Sequence, residues 1–374
     1  MDNILLSAAL SFLITFFAIP VIIQVAKDKK LYDEPDERKV HKTVIPTLGG
    51  LGIFAGFVIA LLMGTPYGTG IELQYFMAAA VVIFFLGMKD DIMVISASKK
   101  FIGQLIAAGI LIKFGGVQIN NMHGFLNIYE IPHFAGIILS VFTIIVITNS
   151  FNLIDGVDGL AGSLGFLTTL IFGIYFYTIH EMQYAVMAFA LAGSLISFLI
   201  YNFSPAKIFM GDTGSLLLGL VNSILVIKFI NSSGVSTNSF SLEASPAIGF
   251  AILMIPLFDT LRVFGLRILD RRSPFSPDRN HVHHFLLDLG FSHKKITLSC
   301  VAVNILFILA AYFLRHLGTT VVIGILMVAA FSIIGIIFYL RQKSKSIYIQ
   351  NATEAEIIKS HKILTLVSEP VEVE

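Results

Sequence analysis

Long apolar runs recur along the whole chain, and they restrict its fold more than any other feature. A run of roughly 20 mostly apolar residues can cross a bilayer as an α-helix, which satisfies its own backbone hydrogen bonds. Of the 374 residues, 56% are hydrophobic and 13% are charged, whereas a soluble domain is about half apolar and about a quarter charged. We therefore predict an all-α polytopic integral membrane protein.

Eleven transmembrane helices are predicted from these runs. They lie at residues 4–26, 47–64, 72–88, 101–116, 134–151, 160–179, 183–201, 213–230, 247–268, 296–314 and 319–340. We interpret residues 1–341 as one transmembrane domain and residues 342–374 as a tail outside the membrane. The chain has one cysteine, Cys300, and so cannot form an intrachain disulfide.

Lysine and arginine are distributed unequally between the two ends of these helices. All but three of the 25 basic residues fall on one side, and the exceptions are Lys113, Lys228 and Arg315. Because basic residues collect in cytoplasmic loops, we predict the N-terminus outside and the C-terminus in the cytoplasm. The net charge of +1 is small, and nucleic-acid-binding proteins carry a much larger positive field. No nucleic-acid partner is therefore expected.

The loops that are rich in acids, histidines and glycines all lie on the predicted cytoplasmic side. They are residues 27–46, 89–100, 152–159, 202–212 and 269–295. A transporter is expected to carry ionisable groups near the middle of the membrane and at both gates. Clustering on one side instead favours an enzyme that acts on a soluble cytosolic substrate and a lipid.

Three of these loops carry aspartates. Each aspartate can be interpreted as part of a cation-binding or substrate-binding site, or as a residue that only supports the helix structure. Asp90 and Asp91 end the third span, where acids oppose the helix dipole; a nearby cation or a solvated helix end would account for them. In NSFNLIDGVDGLAG, Asp155 and Asp158 share a face if the segment is helical, while the glycines permit close backbone approach or tight helix packing. In FMGDTGS, Asp212 is predicted at a helix start, as an N-cap, a metal ligand or both.

The loop SPFSPDRNHVHHFLLDLG brings together Arg279, His281, His283 and His284. Three histidines within four residues are compatible with a transition-metal site, but the carboxylates elsewhere favour a hard cation such as Mg²⁺. Arginine with histidine also makes a phosphate clamp; a solvated basic loop would not explain the histidine spacing. Carboxylates, Mg²⁺ and cationic clamps are typical of transfer at a phosphate. The sequence has no G-x-x-x-x-G-K-[ST] motif, so ATP-driven transport is unsupported.

Five motifs in order resemble those of the polyprenyl-phosphate N-acetylhexosamine-1-phosphate transferases, in particular the bacterial WecA-like enzymes. They are DEPDERKVHKTVIPTLGG, GMKDD, NSFNLIDGVDGLAG, FMGDTGS and SPFSPDRNHVHH. The resemblance implies that a UDP-N-acetylhexosamine reacts with polyprenyl (undecaprenyl) phosphate to give the lipid-diphospho-sugar and UMP. Such a reaction would be the first membrane step of cell-surface polysaccharide synthesis, with residues 1–341 as the catalytic domain.

The resemblance also implies roles for the acids of these motifs. Asp212 is expected to bind a metal, with Asn152 or Asp91 beside it. The expected cofactor is Mg²⁺, with Mn²⁺ as an alternative. Asp90 and Asp91 are expected to position or activate the lipid phosphate, and Asp155 to support the residues around it.

The same resemblance implies which residues recognise the substrates. Asp158 is expected to read the uracil edge, and Phe209 to stack on the base. The diphosphate and sugar are expected to contact Lys100, Arg279 and His281, with His283 and His284 completing the clamp. Three further candidates for the lipid phosphate are Lys39, His41 and Lys42.

Two alternatives stay open from the sequence. An MraY-like enzyme would use UDP-muramoyl-pentapeptide, but its last loop typically has three consecutive histidines, whereas this chain interrupts them with Val282. A nucleotide-sugar transporter would exchange solutes across vesicles without forming a lipid product. For the enzyme, we expect the bacterial cytoplasmic (inner) membrane, an active site on its cytoplasmic face, and the lipid bilayer as a partner. A homodimer is a further candidate assembly.

Overall fold

The computed structural model describes residues 2–29, 45–65, 71–233, 242–271 and 281–367. Thirteen α-helices and two strands lie in these ranges. In chain order they are α1 (Asp2–Asp28), α2 (Gly49–Gly64), α3 (Ile71–Ile92), α4 (Ala97–Lys113), β1 (Asn121–Phe125), β2 (Ile128–Glu130), α5 (His133–Ile154), α6 (Leu160–Thr178), α7 (Met182–Asn202), α8 (Gly211–Ser232), α9 (Ser245–Ile252), α10 (Met254–Leu269), α11 (Val282–Asp288), α12 (His293–Leu314) and α13 (Thr319–Val367).

The predominantly helical membrane fold is confirmed, while the number of spans is not. Each predicted run coincides with helix, and seven of the described helices are long and apolar enough to cross a membrane, or eight if α9 and α10 form one span. The count of eleven therefore stays a prediction. The last helix, α13, continues past residue 341 to Val367.

The predicted span at 247–268 contains a break. Helices α9 and α10 meet at an angle of 86°. A buried side chain from α12 stabilises the break: the amide nitrogen of Asn304 donates to the Ile252 carbonyl at 2.9 Å, and its oxygen accepts from the Ile255 N–H at 3.0 Å. Asn304 thus satisfies backbone groups that a helix interruption would leave unpaired in an apolar interior.

Helix α8 forms the centre of the bundle, since 94% of its most apolar 18-residue stretch is buried. Small residues let neighbouring helices approach it closely. A Cβ atom on Gly87 of α3 would lie 2.5 Å from the Cα of Thr213, and one on Gly219 would lie 2.5 Å from the Cα of Thr148 in α5. These contacts bring the end of α3 against the first turn of α8, and the second half of α5 against the part of α8 around Gly219.

Strands β1 and β2 form an antiparallel hairpin that the all-α prediction did not include. Leu126 and Asn127 at its tip both have positive φ, as the two-residue turns that match strand twist require. The hairpin is bound to the start of α13, where Thr319 Oγ1 donates to the His123 carbonyl at 2.6 Å and the Leu126 N–H donates to Thr320 Oγ1 at 2.7 Å.

Candidate functional site

Asp212 lies in the first turn of α8 and is contacted by two other helices. Its Oδ2 is 2.5 Å from Nζ of Lys100, and its Oδ1 accepts from Nδ2 of Asn152 at 2.9 Å. The capping interpretation of Asp212 is wrong, because Met210 occupies the N-cap position. The carboxylate instead faces side chains from α4 and α5, next to the positive end of the α8 dipole.

Asp91 caps α8 from outside that helix. Its two oxygens accept the N–H of Asp212 at 2.7 Å and that of Thr213 at 3.0 Å, together with the Thr213 hydroxyl at 2.5 Å. These are first-turn donors that a helix leaves unsatisfied. Gly211 lies between the two acids with φ of +70°, and a Cβ there would be 2.7 Å from an Asp91 oxygen. The site therefore requires glycine at this position.

Lys100 joins the remaining acid of the Lys89-Asp90-Asp91 motif to Asp212. Its Nζ is 2.6 Å from Asp90 Oδ2 and 2.5 Å from Asp212 Oδ2. Asp90 Oδ1 also accepts the Ile95 N–H at 2.8 Å, which holds the turn after α3. Lys100 is therefore the centre of a cluster that contains more carboxylates than cations among the described residues.

Asn152 is fixed between Asp212 and Ser215, whose Oγ accepts from Nδ2 at 3.0 Å. One turn earlier on α5, Asn149 exchanges amide hydrogen bonds with Gln104 of α4 at 2.8 and 3.3 Å. Gln104 is one turn beyond Lys100, so this pair binds together the two helices that contact Asp212. Sequence reasoning did not single out Gln104, because it lies inside an apolar run.

Asp155 and Asp158 do not share a helical face. Helix α5 ends at Ile154, and α6 begins only at Leu160. Asp155 is half-buried beside the carboxylates, and burial, followed by the negative charges of Asp212 and Asp91, raises its pKa well above that of an ordinary carboxyl. Asp158 is buried, with Oδ1 3.2 Å from His293 Nδ1 and Oδ2 accepting the Ala206 N–H at 3.2 Å. The two acids therefore face different surroundings.

The histidine motif folds back against the NSFNLIDGVDGLAG loop. The rings of His281 and His283 stack with centroids 5.6 Å apart and planes at 8°. A Cβ on Gly156 would lie 2.6 Å from Nε2 of His283. Burial, followed by the charge of His284 when protonated, lowers the pKa of His283 to about 3, so this ring is neutral at physiological pH. The centroid of His284 is 4.3 Å from that of His283.

Two residues that sequence reasoning missed hold this arrangement. Asp259 of α10 lies 2.8 Å from Nδ1 of His281, and His293 of α12 contacts Asp158. Asp259 is inside an apolar helix and His293 is outside the quoted motifs, so neither had a local pattern to mark it. A buried acid within a predicted span is the one indication that could have identified Asp259.

Of the remaining predicted site residues, the structure describes Phe209. Phe209 precedes α8, where its N–H donates to the Pro46 carbonyl at 2.8 Å and its carbonyl accepts the Gly49 N–H at 2.9 Å. Its backbone is thus fixed three residues before Asp212. The other predicted residues, Lys39, His41, Lys42 and Arg279, lie outside the described residues.

The donor set is suited to a hard cation. Asp90, Asp91, Asp212 and Asn152 present carboxylate and amide oxygens, which Mg²⁺ prefers. Within the described ranges, no group of three or more His, Cys, Asp or Glu side chains is arranged as a closed metal site, and Lys100 lies between two of the acids. The chemistry of these donors fits Mg²⁺. Both oxygens of Asp91 accept backbone N–H groups, whereas those of Asp212 contact the side chains of Lys100 and Asn152.

Comparisons with known proteins agree with this geometry. The profile described as Glycosyl transferase family 4 matches residues 73–230. A probable undecaprenyl-phosphate N-acetylglucosaminyl 1-phosphate transferase of Bacillus subtilis is 33% identical, over 84% of this chain and 86% of its own. A decaprenyl-phosphate N-acetylglucosaminephosphotransferase of Mycobacterium tuberculosis is 34% identical, over 76% of each chain.

An undecaprenyl-phosphate alpha-N-acetylglucosaminyl 1-phosphate transferase of Escherichia coli K12 is 28% identical, over 87% of this chain and 88% of its own. The family match over residues 73–230 includes Asp90, Asp91, Lys100, Asn152 and Asp212. The predicted resemblance is therefore confirmed. The chain belongs to the polyprenyl-phosphate N-acetylhexosamine-1-phosphate transferases of glycosyl transferase family 4.

Proposed function

We propose that this chain transfers N-acetylglucosamine-1-phosphate from UDP-N-acetylglucosamine to undecaprenyl phosphate. An oxygen of the lipid phosphate attacks the phosphorus that bears the sugar. The bond from that phosphorus to the oxygen of UMP breaks, and UMP leaves with the electron pair. The observation that carries the proposal is the Asp90–Lys100–Asp212–Asn152 cluster at the start of α8, in a chain of this family.

Lys100 has two roles in this proposal. In the substrate-free protein it balances the charges of Asp90 and Asp212, which it contacts at 2.6 and 2.5 Å. When a diphosphate enters, the same ammonium group binds its oxygens, because a lysine on a flexible stem can exchange one anion for another. Asp90 then orients the lipid phosphate. A phosphate monoester is already largely ionised at neutral pH, so no residue needs to remove its proton.

We assign Mg²⁺ to Asp212 and Asn152, with Asp91 supporting the site through the first turn of α8. When bound, Mg²⁺ would neutralise the diphosphate and the negative charge that develops on UMP. Mn²⁺, which accepts similar oxygen ligands, is the alternative. Asp91 already uses both oxygens as hydrogen-bond acceptors, so we assign Asp212 as the principal ligand.

The uridine end is assigned to the region around Asp158 and Phe209. Support comes from the Ala206 N–H, which donates to Asp158 and lies three residues before Phe209. Base stacking on Phe209 is consistent with an aromatic side chain on a fixed backbone. Asp158 already contacts His293 and Ala206, so reading the uracil edge requires it to exchange one of these partners.

The eleven-span topology, with the N-terminus outside and the C-terminus in the cytoplasm, is also proposed. The basic residues Lys89, Lys99 and Lys100 adjoin the carboxylate cluster, which supports a cytoplasmic position for this end under the positive-inside rule. A cytoplasmic site in the bacterial inner membrane would give access to a nucleotide sugar from the cytosol and a lipid from the bilayer.

The test is a transfer assay on the purified full-length protein in detergent. UDP-N-acetylglucosamine labelled in the sugar, undecaprenyl phosphate and Mg²⁺ should yield labelled lipid in the organic phase and one UMP per product. Removing divalent cations with EDTA should stop both. Label transfer only from UDP-muramoyl-pentapeptide would identify an MraY-like enzyme. Solute exchange in vesicles without any lipid product would identify a transporter, and either result would overturn the proposal.

A further inference from the structure

Asp259 lies on α10, and its buried carboxylate contacts the histidine motif. Its side chain is 3% exposed. Oδ2 is 2.8 Å from Nδ1 of His281, while Oδ1 accepts from Nη2 of Arg262 at 2.9 Å and from the Val282 N–H at 3.1 Å. The positive charge of Arg262 and the hydrogen bonds from His281 and Val282 make burial of the carboxylate tolerable. Asp259 also borders an apolar cavity of about 110 Å³, whose other lining residues include Phe258, Leu286 and Cys300.

These contacts determine which nitrogen of His281 carries a proton. An ionised carboxylate is an acceptor only, so the imidazole must donate from Nδ1. Arg262 beside Asp259 favours the ionised form. The other ring nitrogen, Nε2, is then left to interact with a substrate. The bond to the Val282 N–H simultaneously fixes the backbone at the start of α11.

Ring stacking connects the orientation of His281 to the loop between α5 and α6. His281 lies parallel to His283, which packs against Gly156. Gly156 directly follows Asp155, whose pKa is raised by burial and by the negative charges of Asp212 and Asp91. A rotation of the His281 ring would therefore disturb a stack that reaches the loop between α5 and α6.

We propose that Asp259 is a positioning residue that sets the tautomer and the orientation of His281, so that Nε2 of His281 faces the diphosphate of the sugar nucleotide. This inference rests on the proposed function for the role of His281, but the contact between Asp259 and His281 does not depend on it. Asp259 itself touches no substrate; it acts through the histidine ring and the first turn of α11.

The substitution Asp259→Asn tests this because it keeps the shape and removes the obligatory acceptor. An amide can offer its NH₂ group to Nδ1, which would stabilise the opposite tautomer; at a comparable Asp–His pair this costs about 10⁴-fold in kcat. We expect kcat to fall by about 10²-fold or more, with KM for UDP-N-acetylglucosamine changed less than about threefold. The matched control is Asp288→Asn, since Asp288 is an exposed acid on α11 that pairs with Arg341; it should keep wild-type kcat.

A double-mutant cycle separates positioning from a merely structural role. If Asp259 acts through His281, then Asp259→Asn should cost little further activity in a His281→Gln background. Additive losses, or a folded Asp259→Asn protein with kcat within threefold of wild type, would overturn the proposal. If Asp259→Asn does not fold, Asp259→Glu keeps the charge, displaces the oxygens by one methylene and enters the same cycle.

A second measurement is independent of catalysis. In protein labelled with ¹⁵N-histidine, the His281 resonances, identified by their loss in His281→Gln, should report a proton on Nδ1 in the wild type and a change of tautomer in Asp259→Asn. Unchanged ¹⁵N shifts would contradict the positioning role, whatever reaction the protein catalyses. Absence of lipid product from the wild type, with the tautomer change present, would instead reject only the proposed function.

Discussion

Helices α3 and α8 carry a polar cluster at each of their two ends, and the clusters differ in charge balance. The Asp212 cluster consists of Asp90, Asp91, Lys100, Asn152 and Asp212. The Glu72 cluster, at the other end, consists of Glu72, Gln183, Tyr184 and Lys228. In it, Lys228 Nζ is 3.2 Å from Glu72 Oε2, to which Gln183 Nε2 also donates at 3.4 Å and the Tyr184 hydroxyl donates. Lys228 also lies 5.4 Å from the centre of the Tyr184 ring.

The contrast distinguishes a structural contact from a binding site. In the Glu72 cluster one acid meets one base, and the neighbouring polar groups complete the hydrogen bonds. In the Asp212 cluster Lys100 is the one base and contacts Asp90 and Asp212, Asp91 is a third acid that caps α8, and Asp155 adds a fourth acid nearby. Surplus negative charge in a half-buried place is costly unless a cation joins it. At one end of α3 and α8, the charges of Glu72 and Lys228 balance and hold the two helices together. At the other end, the Asp212 cluster carries surplus negative charge, which is the reason we propose a cation there.

The largest expected effect comes from Asp212→Asn. The change removes the principal proposed metal ligand and one of the two acids that hold Lys100. We expect transfer activity to fall by about 10³-fold, with no recovery when Mg²⁺ is raised. The measurement is formation of labelled lipid by the variant across a Mg²⁺ titration, with its thermal unfolding as a check on folding. A variant with wild-type turnover would place the cation elsewhere.

A smaller loss is expected for Lys100→Gln. Glutamine keeps a hydrogen-bond donor but cannot neutralise Asp90 or bind the diphosphate as a cation. We expect kcat to fall by about 10²-fold and KM for the sugar nucleotide to rise. Lys99, the exposed neighbour, supplies the matched control as Lys99→Gln, which should behave like the wild type. Equal effects of the two substitutions would indicate a general charge effect.

Breaking the Glu72 cluster should affect stability and leave catalysis intact. Glu72→Gln leaves Lys228 without its partner. Because Glu72 is 38% exposed, the cost is reduced by solvent, and we expect about 1–2 kcal/mol. The midpoint of thermal unfolding in detergent should fall by roughly 2–5 °C, with kcat at lower temperature within about twofold of wild type. A loss of activity comparable to that of Lys100→Gln would remove the distinction between the clusters.

The last predicted effect is a pH dependence of stability that arises from His283 in the histidine motif. Burial lowers the pKa of folded His283 to about 3, while the unfolded chain has a histidine pKa of about 6.5. Between these values the unfolded state binds a proton that the folded state does not. Stability is therefore complete above about pH 6.5 and is lost as the pH falls, by up to about 1.4 kcal/mol per pH unit.

His283→Gln should consequently show a shallower loss of thermal stability between pH 7 and pH 5 than the wild type. His316→Gln, at an exposed histidine after α12, is the control and should retain the wild-type slope. Parallel slopes for the wild type and His283→Gln would contradict a buried neutral His283.

Much of the fold and part of the site were predictable from local pattern. The apolar runs became helices because a backbone in lipid must satisfy its own hydrogen bonds. The motifs around Asp90, Asn152 and Asp212 indicated a phosphate-transfer site, and these residues do meet. The shared face of Asp155 and Asp158 required a continuous helix, which the turn before Gly159 interrupts.

What the sequence by itself determined is the membrane-embedded helical fold, the family and the residue types available for chemistry at one end of the bundle. Only the tertiary structure decided that Asp91 caps α8, that Asn304 supports the break before α10, and that Asp259 holds His281. The physical reason is distance along the chain. Hydropathy and helix periodicity are read within one turn or one span, whereas a buried polar group finds its partner on another helix, often more than a hundred residues away.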